Sequence, residues 1–259
     1  MNRLPTLFLS HGAPDLPLQQ GTAQTFLSQL HQKIPQPQSI LVISAHWNTP
    51  YPLVSAAPSP RTIHDFSGFP EPLYHLTYPA PGAPDLAERV VQQLTHAGLQ
   101  AATHPNRGLD HGAWTPLLLA YPDANIPVTQ LSIQALLGPD YHWRLGRALE
   151  PLRDEGVLMV ASGAATHNLG AFDPIYDAVP PTWVTLFDRW LADTITQGDI
   201  PQLLQYRQVA PYAQENHPTE EHLLPLFVAL GAGGESPQGI QLHSSYVYGV
   251  FSMAAYAFV

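Results

Sequence analysis

Three histidines in this 259-residue chain occupy the same kind of position, each one following a short apolar run. Leu7-Phe8-Leu9-Ser10 leads into His11. Ile40-Leu41-Val42-Ile43-Ser44-Ala45 delivers His46 and Trp47, and Leu158-Met159-Val160-Ala161-Ser162-Gly163 is followed by Thr166-His167-Asn168. Short apolar runs of this kind read as buried parallel strands. Ligands of open α/β sheets collect outside the carboxyl ends of the strands, so the pattern lines three imidazoles along one sheet edge. Neutral imidazole is the commonest nitrogen ligand for zinc, copper, iron and nickel. The chemistry expected is therefore a metal centre, and a catalytic one, because three neutral ligands leave positions open.

Further candidates lie near these three. The stretch Glu215-Asn216-His217-Pro218-Thr219-Glu220-Glu221-His222-Leu223-Leu224-Pro225-Leu226 reads as a helix start, with Thr219 as N-cap and His222 in the first turn. Spacing does not choose among His217, Glu220, Glu221 and His222 as a ligand. His111 stands in the glycine-flanked Gly108-Leu109-Asp110-His111-Gly112. Asp110 there is either an orienting partner for an imidazole or a helix cap, and adjacent residues seldom face each other well. Trp47, Phe66, Phe69, Tyr74 and Trp114 cluster in loops near the histidine motifs. Core packing is the ordinary use of such rings, and an aromatic substrate would also require them. Ser162-Gly163 lacks the G-x-S-x-G surroundings of a nucleophile elbow, and neither a G-x-G-x-x-G nor a P-loop occurs.

The elements that must position these side chains alternate in type. Strands are expected at 6–10, 40–47, 100–103, 127–133 and 157–162, with two antiparallel C-terminal strands at 240–246 and 248–258 completing the sheet. Helices are expected at 22–34, 84–97, 141–155 and 182–197, with a helical turn at 115–121 and a loop at 231–234. The segment 50–81, rich in proline and aromatic residues, is long for a loop and is expected to close over the pocket. No linker or repeat divides the chain. The reading is one α/β domain over 1–259, with a central, mostly parallel mixed sheet flanked by helices and the metal site at the strands' carboxyl ends.

Composition narrows the partners. The net charge of −10, with Lys33 the single lysine, argues against nucleic acid or an anionic membrane surface. The absence of cysteine removes disulfides and thiolate ligands. No signal peptide or membrane span is recognisable, so a cytoplasmic protein, monomeric or a small homo-oligomer, is expected.

Taken together, the motifs resemble the class III extradiol ring-cleaving dioxygenases, in particular the 4,5-DOPA dioxygenase (LigB-like) branch. The resemblance rests on Ser10–Pro14, Val42–Trp47, Thr62–Pro70, Tyr78–Gly82, Gly108–Trp114, Val128–Ile133, Ala161–Gly163 with His167–Leu169, and Pro218–Leu226, in that order along the chain. It implies His11, His46 and His222 as metal ligands. His167 would be the acid/base, able to act as a fourth ligand to zinc, and His111 a second pocket histidine. It also implies a substrate pocket drawing on Trp47, His64, Phe66 and Trp114. Fe(II) is the implied metal, with Zn(II) able to fill the same site, and a catechol, foremost L-DOPA, and O2 are the implied partners. The usual non-haem iron triad contains a carboxylate, and an all-histidine set departs from it. The catechol chemistry fits the residues: a base must take a hydroxyl proton and later return it as the O–O bond breaks, which suits a histidine. The rival readings are a zinc hydrolase on the same histidines and a metal-binding protein without turnover.

Overall fold

A computed structural model describes residues 3–259. Its strands are β1 (Thr6–Ser10), β2 (Ser39–Asn48), β3 (Leu53–Ser55), β4 (Ala102–His104), β5 (Val128–Ile133), β6 (Val157–Gly163), β7 (Gly239–His243), β8 (Tyr246–Val247), β9 (Phe251–Ser252) and β10 (Ala255–Phe258). Its helices are α1 (Thr22–Ser28), α2 (Pro84–His96), α3 (His111–Ala120), α4 (Gly138–Leu149), α5 (Thr182–Gln197), α6 (Ile200–Leu204), α7 (Tyr206–Val209), α8 (Ala213–Asn216) and α9 (Leu224–Ala232). Eight strands form one sheet in the order β4-β3-β5-β2-β6-β1-β10-β7, and β8 and β9 form a separate ribbon. The pairs β5–β2, β2–β6, β6–β1 and β3–β4 are parallel, while β10 is antiparallel to both its neighbours and β3 is antiparallel to β5.

Strand residues alternate between two faces, and both faces are buried, which is why the central strands read as unbroken apolar runs. Leu41, Ile43, Leu131, Ile133 and Met159 pack under α2, α4, α5 and α9. Leu7, Leu9, Ile40, Val42, Leu158 and Val160 pack under α1 and α3. This doubly covered sheet is the expected α/β architecture. Among the described residues, no helix is long and apolar enough to cross a membrane.

Several local expectations change, each for a physical reason. β2 continues past His46 to Asn48. Ile43 pairs with Leu131 and Asn48 with Ile133, so five steps on β2 match two on β5. The resulting bulge carries His46 out of the ladder. The helix expected at 115–121 begins at His111, because Asp110 caps it by accepting from Ala113 N at 3.2 Å. The 22–34 helix ends at Ser28 and passes into a 3-10 turn, Leu30–Gln32. The 141–155 helix starts at Gly138, with Pro139 in its first turn, and becomes 3-10 over Glu150–Glu155, where Pro151 has no N–H to continue the ladder. Gly231 is not in a loop but inside α9, where the lack of a side chain lets the Trp143 carbonyl of α4 approach its backbone. The C-terminal pair breaks into four short strands around Tyr248 and Gly249, both at positive φ.

The segment 50–81, expected to close over the pocket, is tied to the rest of the chain by backbone bonds and buried side chains. It contributes β3 and a 3-10 turn, Glu71–His75. Ile63 N donates to Leu109 O at 2.8 Å, Leu109 N to Arg61 O at 2.8 Å, and Tyr78 N to Thr62 Oγ1 at 2.9 Å. Leu73 and Tyr78 are fully buried. The segment forms a wall.

Candidate metal centre

The strand ends deliver their histidines to one place. His11, the first residue beyond β1, has its Nε2 3.0 Å from His46 Nε2, and His222 Nε2 lies 3.3 Å from the same atom. The ligand nitrogens of all three fall within 4.8 Å of one another. Two nitrogens each about 2.1 Å from one ion stand about 3.0 Å apart at a right angle and about 3.4 Å apart at a tetrahedral angle. The His11–His46 and His46–His222 separations both suit ligands of one shared ion. His222 arrives from a turn ahead of α9 and not from its first turn. Thr219 caps nothing, and its hydroxyl instead donates to Glu221 Oε1 at 2.9 Å. The turn can press onto β6 because residue 163 is glycine: a Cβ there would overlap the His222 carbonyl oxygen, which accepts from Ala164 N at 2.9 Å.

What each imidazole does with its other nitrogen decides whether Nε2 is free to bind. In α3, Pro116 has no N–H, so the Gly112 carbonyl four residues back lacks its helical donor. The Ser162 hydroxyl donates to that carbonyl instead. Its remaining lone pairs then accept from His11 Nδ1 at 2.9 Å, which leaves the His11 Nε2 lone pair unprotonated. Glu221 Oε1 accepts from His222 Nδ1 at 3.1 Å, and Asp65 Oδ2 stands 3.6 Å from His46 Nδ1. Orienting groups of this kind fix the tautomer and ring position of metal ligands.

Burial, followed by the neighbouring histidines, holds His11 well below its ordinary value; burial also lowers His222, and it brings His46 and His167 down to about 4. Neutral imidazole is the ligand form. The Nδ1–H of His222 draws Glu221 down to about 2. Burial pushes Asp65 up, but its bonds to His111 outweigh this and leave it at about 2.

Two more histidines flank the trio. His111 heads α3 with its ring centroid 3.9 Å from that of His46 and 5.4 Å from that of His11. His167 stacks on His222 at 3.5 Å and lies 5.6 Å from the Phe251 ring. His167 Nδ1 or Nε2 groups with Glu221 and His222 as possible ligand atoms rather than with the trio. Burial is the main cause of the low value at His167. His217 is pinned by donating Nε2–H to Ala165 O at 2.9 Å, and Glu220 accepts from Tyr206 at 2.8 Å, so both of these alternatives to His222 are engaged elsewhere.

The aromatic residues separate. Phe66 sets its ring against His111 at 5.7 Å. His64 and Trp114 stand behind it: His64 bonds Leu76 O at 3.0 Å, and the Trp114 indole, fully buried, donates to Ile63 O at 2.9 Å. Trp47 meets His104 and the Arg107 guanidinium, 5.1 Å from its ring, rather than the converging histidines. Asp110 does not orient His111. It gathers Ser44, Arg107 and Gln130, and through Ser44 and Arg107 it braces the backbone of His46. The orienting roles of Asp65, Ser162 and Glu221 are not read from sequence, which offers Glu221 only as an alternative ligand and Ser162 only as a rejected nucleophile. Glu221 alone carried a signal, its adjacency to His222.

The profile of the catalytic LigB subunit of aromatic ring-opening dioxygenase matches residues 5–259. The chain belongs to the LigB family. It is an extradiol ring-cleavage dioxygenase, an oxidoreductase whose family is metal-dependent. Its LigB relatives include the 4,5-DOPA dioxygenase extradiol of Beta vulgaris, 44% identical over 98% of this chain and 96% of that one. The Escherichia coli K12 protein of the same name is 41% identical over 93% of this chain and 92% of the relative. The crystal structure of an uncharacterized E. coli K12 protein superposes with a TM-score of 0.83 at 34% identity, covering 99% of this chain and 100% of the other.

Proposed function

We propose that this LigB-family chain, acting as one domain, is an Fe(II)-dependent dioxygenase that opens the ring of L-DOPA or a closely related catechol by 4,5-cleavage. The product would be seco-DOPA, which can cyclise to betalamic acid. His11, His46 and His222 would hold the metal, and the observation that carries this reading is the convergence of their three Nε2 atoms. Iron bound there would supply the activation of dioxygen toward the ring, with the protein contributing position and proton traffic.

The proton steps fall to the flanking histidines. His167, neutral because burial brings it down to about 4, can accept a catechol hydroxyl proton at a ring nitrogen and return it as the O–O bond breaks. His111 gives its Nδ1–H to Asp65, 3.0 Å away, so its Nε2 offers a lone pair to a substrate hydroxyl. Phe66 lies against His111 and Phe251 against His167, apolar rings that suit a flat aromatic substrate. The relatives that bear the 4,5-DOPA name support L-DOPA as first choice. The all-histidine donor set also suits Zn(II), so the zinc form is expected to be loaded but inert toward O2.

The test is oxygen consumption by anaerobically Fe(II)-loaded protein mixed with L-DOPA, with the yellow ring-opened product followed in parallel. Uptake with a yellow product supports the reading. No uptake across several catechols would overturn it and return the zinc-hydrolase alternative.

A further inference from the structure

The two oxygens of Asp65 face different histidines on different elements. Its Oδ1 accepts from both the backbone N and the Nδ1 of His111, at 2.9 and 3.0 Å, at the first residue of α3. Its Oδ2 faces His46 Nδ1 at 3.6 Å, at the bulged end of β2. The carboxylate is itself held in place. Ile63 and Arg61 exchange backbone bonds with Leu109, and the Trp114 indole bonds Ile63 O.

The consequence is directional. A carboxylate has only acceptors, so His111 keeps its proton on Nδ1, and the negative oxygen facing His46 Nδ1 favours the same tautomer there. The lone pair of His46 Nε2 is then turned to the trio, and that of His111 Nε2 to the space beside it. An amide at residue 65 could not do both, because one of its two terminal atoms is a donor. The 3.6 Å separation is longer than a hydrogen bond, so its influence on His46 is electrostatic. We propose that Asp65 is the positioning residue that locks one metal ligand, His46, and one pocket histidine, His111, into the same tautomer, joining metal binding to substrate orientation through a single side chain. This rests on the dioxygenase reading for its kinetic part only.

The test uses the full chain and the variants Asp65→Asn, Asp65→Glu and His111→Ala. Zn(II) affinity is measured by chelator competition, and the His111 tautomer by 15N NMR of the zinc-loaded protein. Asp65→Asn is expected to weaken Zn(II) binding 10- to 100-fold, the usual range for such orienting groups. It should also replace the single Nδ1-protonated form of His111 with a mixture. Asp65→Glu keeps the charge and is expected to recover part of the affinity, which also guards against misfolding of the amide variant. His111→Ala should leave Zn(II) affinity unchanged, and Asp65→Asn should weaken Zn(II) equally in that background. In the iron-loaded enzyme, Asp65→Asn should lower kcat, and should lower it no further once His111 is Ala. Wild-type Zn(II) affinity in Asp65→Asn, or an unchanged His111 tautomer, overturns the proposal. If the wild type turns over no catechol, the dioxygenase reading fails, while the Zn(II) and NMR measurements still decide the role of Asp65.

Discussion

The proline in α3 and the serine at the end of β6 are linked through one carbonyl, and removing the serine tests that link. Ser162 is fully buried. Its hydroxyl satisfies Gly112 O, left without a helical donor by Pro116, and accepts from His11 Nδ1 at 2.9 Å. Ser162→Ala leaves a buried acceptor and a buried donor without partners. Each costs about 1–3 kcal/mol, so the metal-free protein should lose about 2–6 kcal/mol of stability. His11 would also lose the group that selects its tautomer, and metal affinity should fall by about 10- to 100-fold. A second substitution separates the two halves: Pro116→Ala restores an N–H that can reach Gly112 O within the helix. In the Ser162→Ala background it should return about 1–3 kcal/mol of stability but none of the metal affinity. Urea unfolding of the metal-free variants gives the first quantity, and chelator competition the second. A loss below about 1 kcal/mol for Ser162→Ala with wild-type affinity would refute the reasoning. So would a Pro116→Ala change that acts the same with or without the serine.

Gly163→Ala would drive a Cβ into the His222 carbonyl and should push that ligand by roughly 1 Å, cutting metal affinity and turnover by about 100-fold, as chelator competition and O2 uptake will show. His167→Ala and His111→Ala should each retain metal by elemental analysis while kcat falls by about 10²- to 10⁴-fold. The metal-free protein should lose stability as pH falls from 6.5 to about 4. His46 and His167 resist protonation when folded but take up protons when unfolded, so the unfolded state gains, at about 1 kcal/mol per pH unit for each group. Below that window the loss continues as Asp65 and Glu221, held at about 2 when folded, are protonated; a Tm series against pH checks both parts. Chelation should abolish O2 uptake, and anaerobic Fe(II) should restore it where Zn(II) does not.

The central strands were legible because both faces of the sheet are covered, so β1, β2 and β6 carry continuous apolar runs. His11, His46 and His167 were legible because they follow those runs. His222 was not selected by spacing, since its turn is shaped by contact with Gly163 rather than by a cap of its own. β3 escaped notice because three residues carry no period, and only its neighbours β4 and β5 make it a strand. The orienting groups were invisible for a related reason. Asp65 meets His111 across 46 residues and Ser162 meets His11 across 151, separations over which no local pattern runs. Asp110 was legible as a helix cap, whereas its bonds to Ser44 and Gln130 depend on the sheet being assembled.

The three convergent histidines are far apart along the chain: His11 and His46 by 35 residues, His46 and His222 by 176. An ion gripped by all three would act as a staple through the tertiary structure, tying the first strand, the bulged second strand and the turn before α9 into one closure. None of those segments could peel away without releasing it. At a free ion concentration 1,000 times its Kd, such a staple adds about 4 kcal/mol to the folded state. Metal supply would then govern lifetime as well as turnover. Chains starved of metal open more often and are the ones a protease removes first.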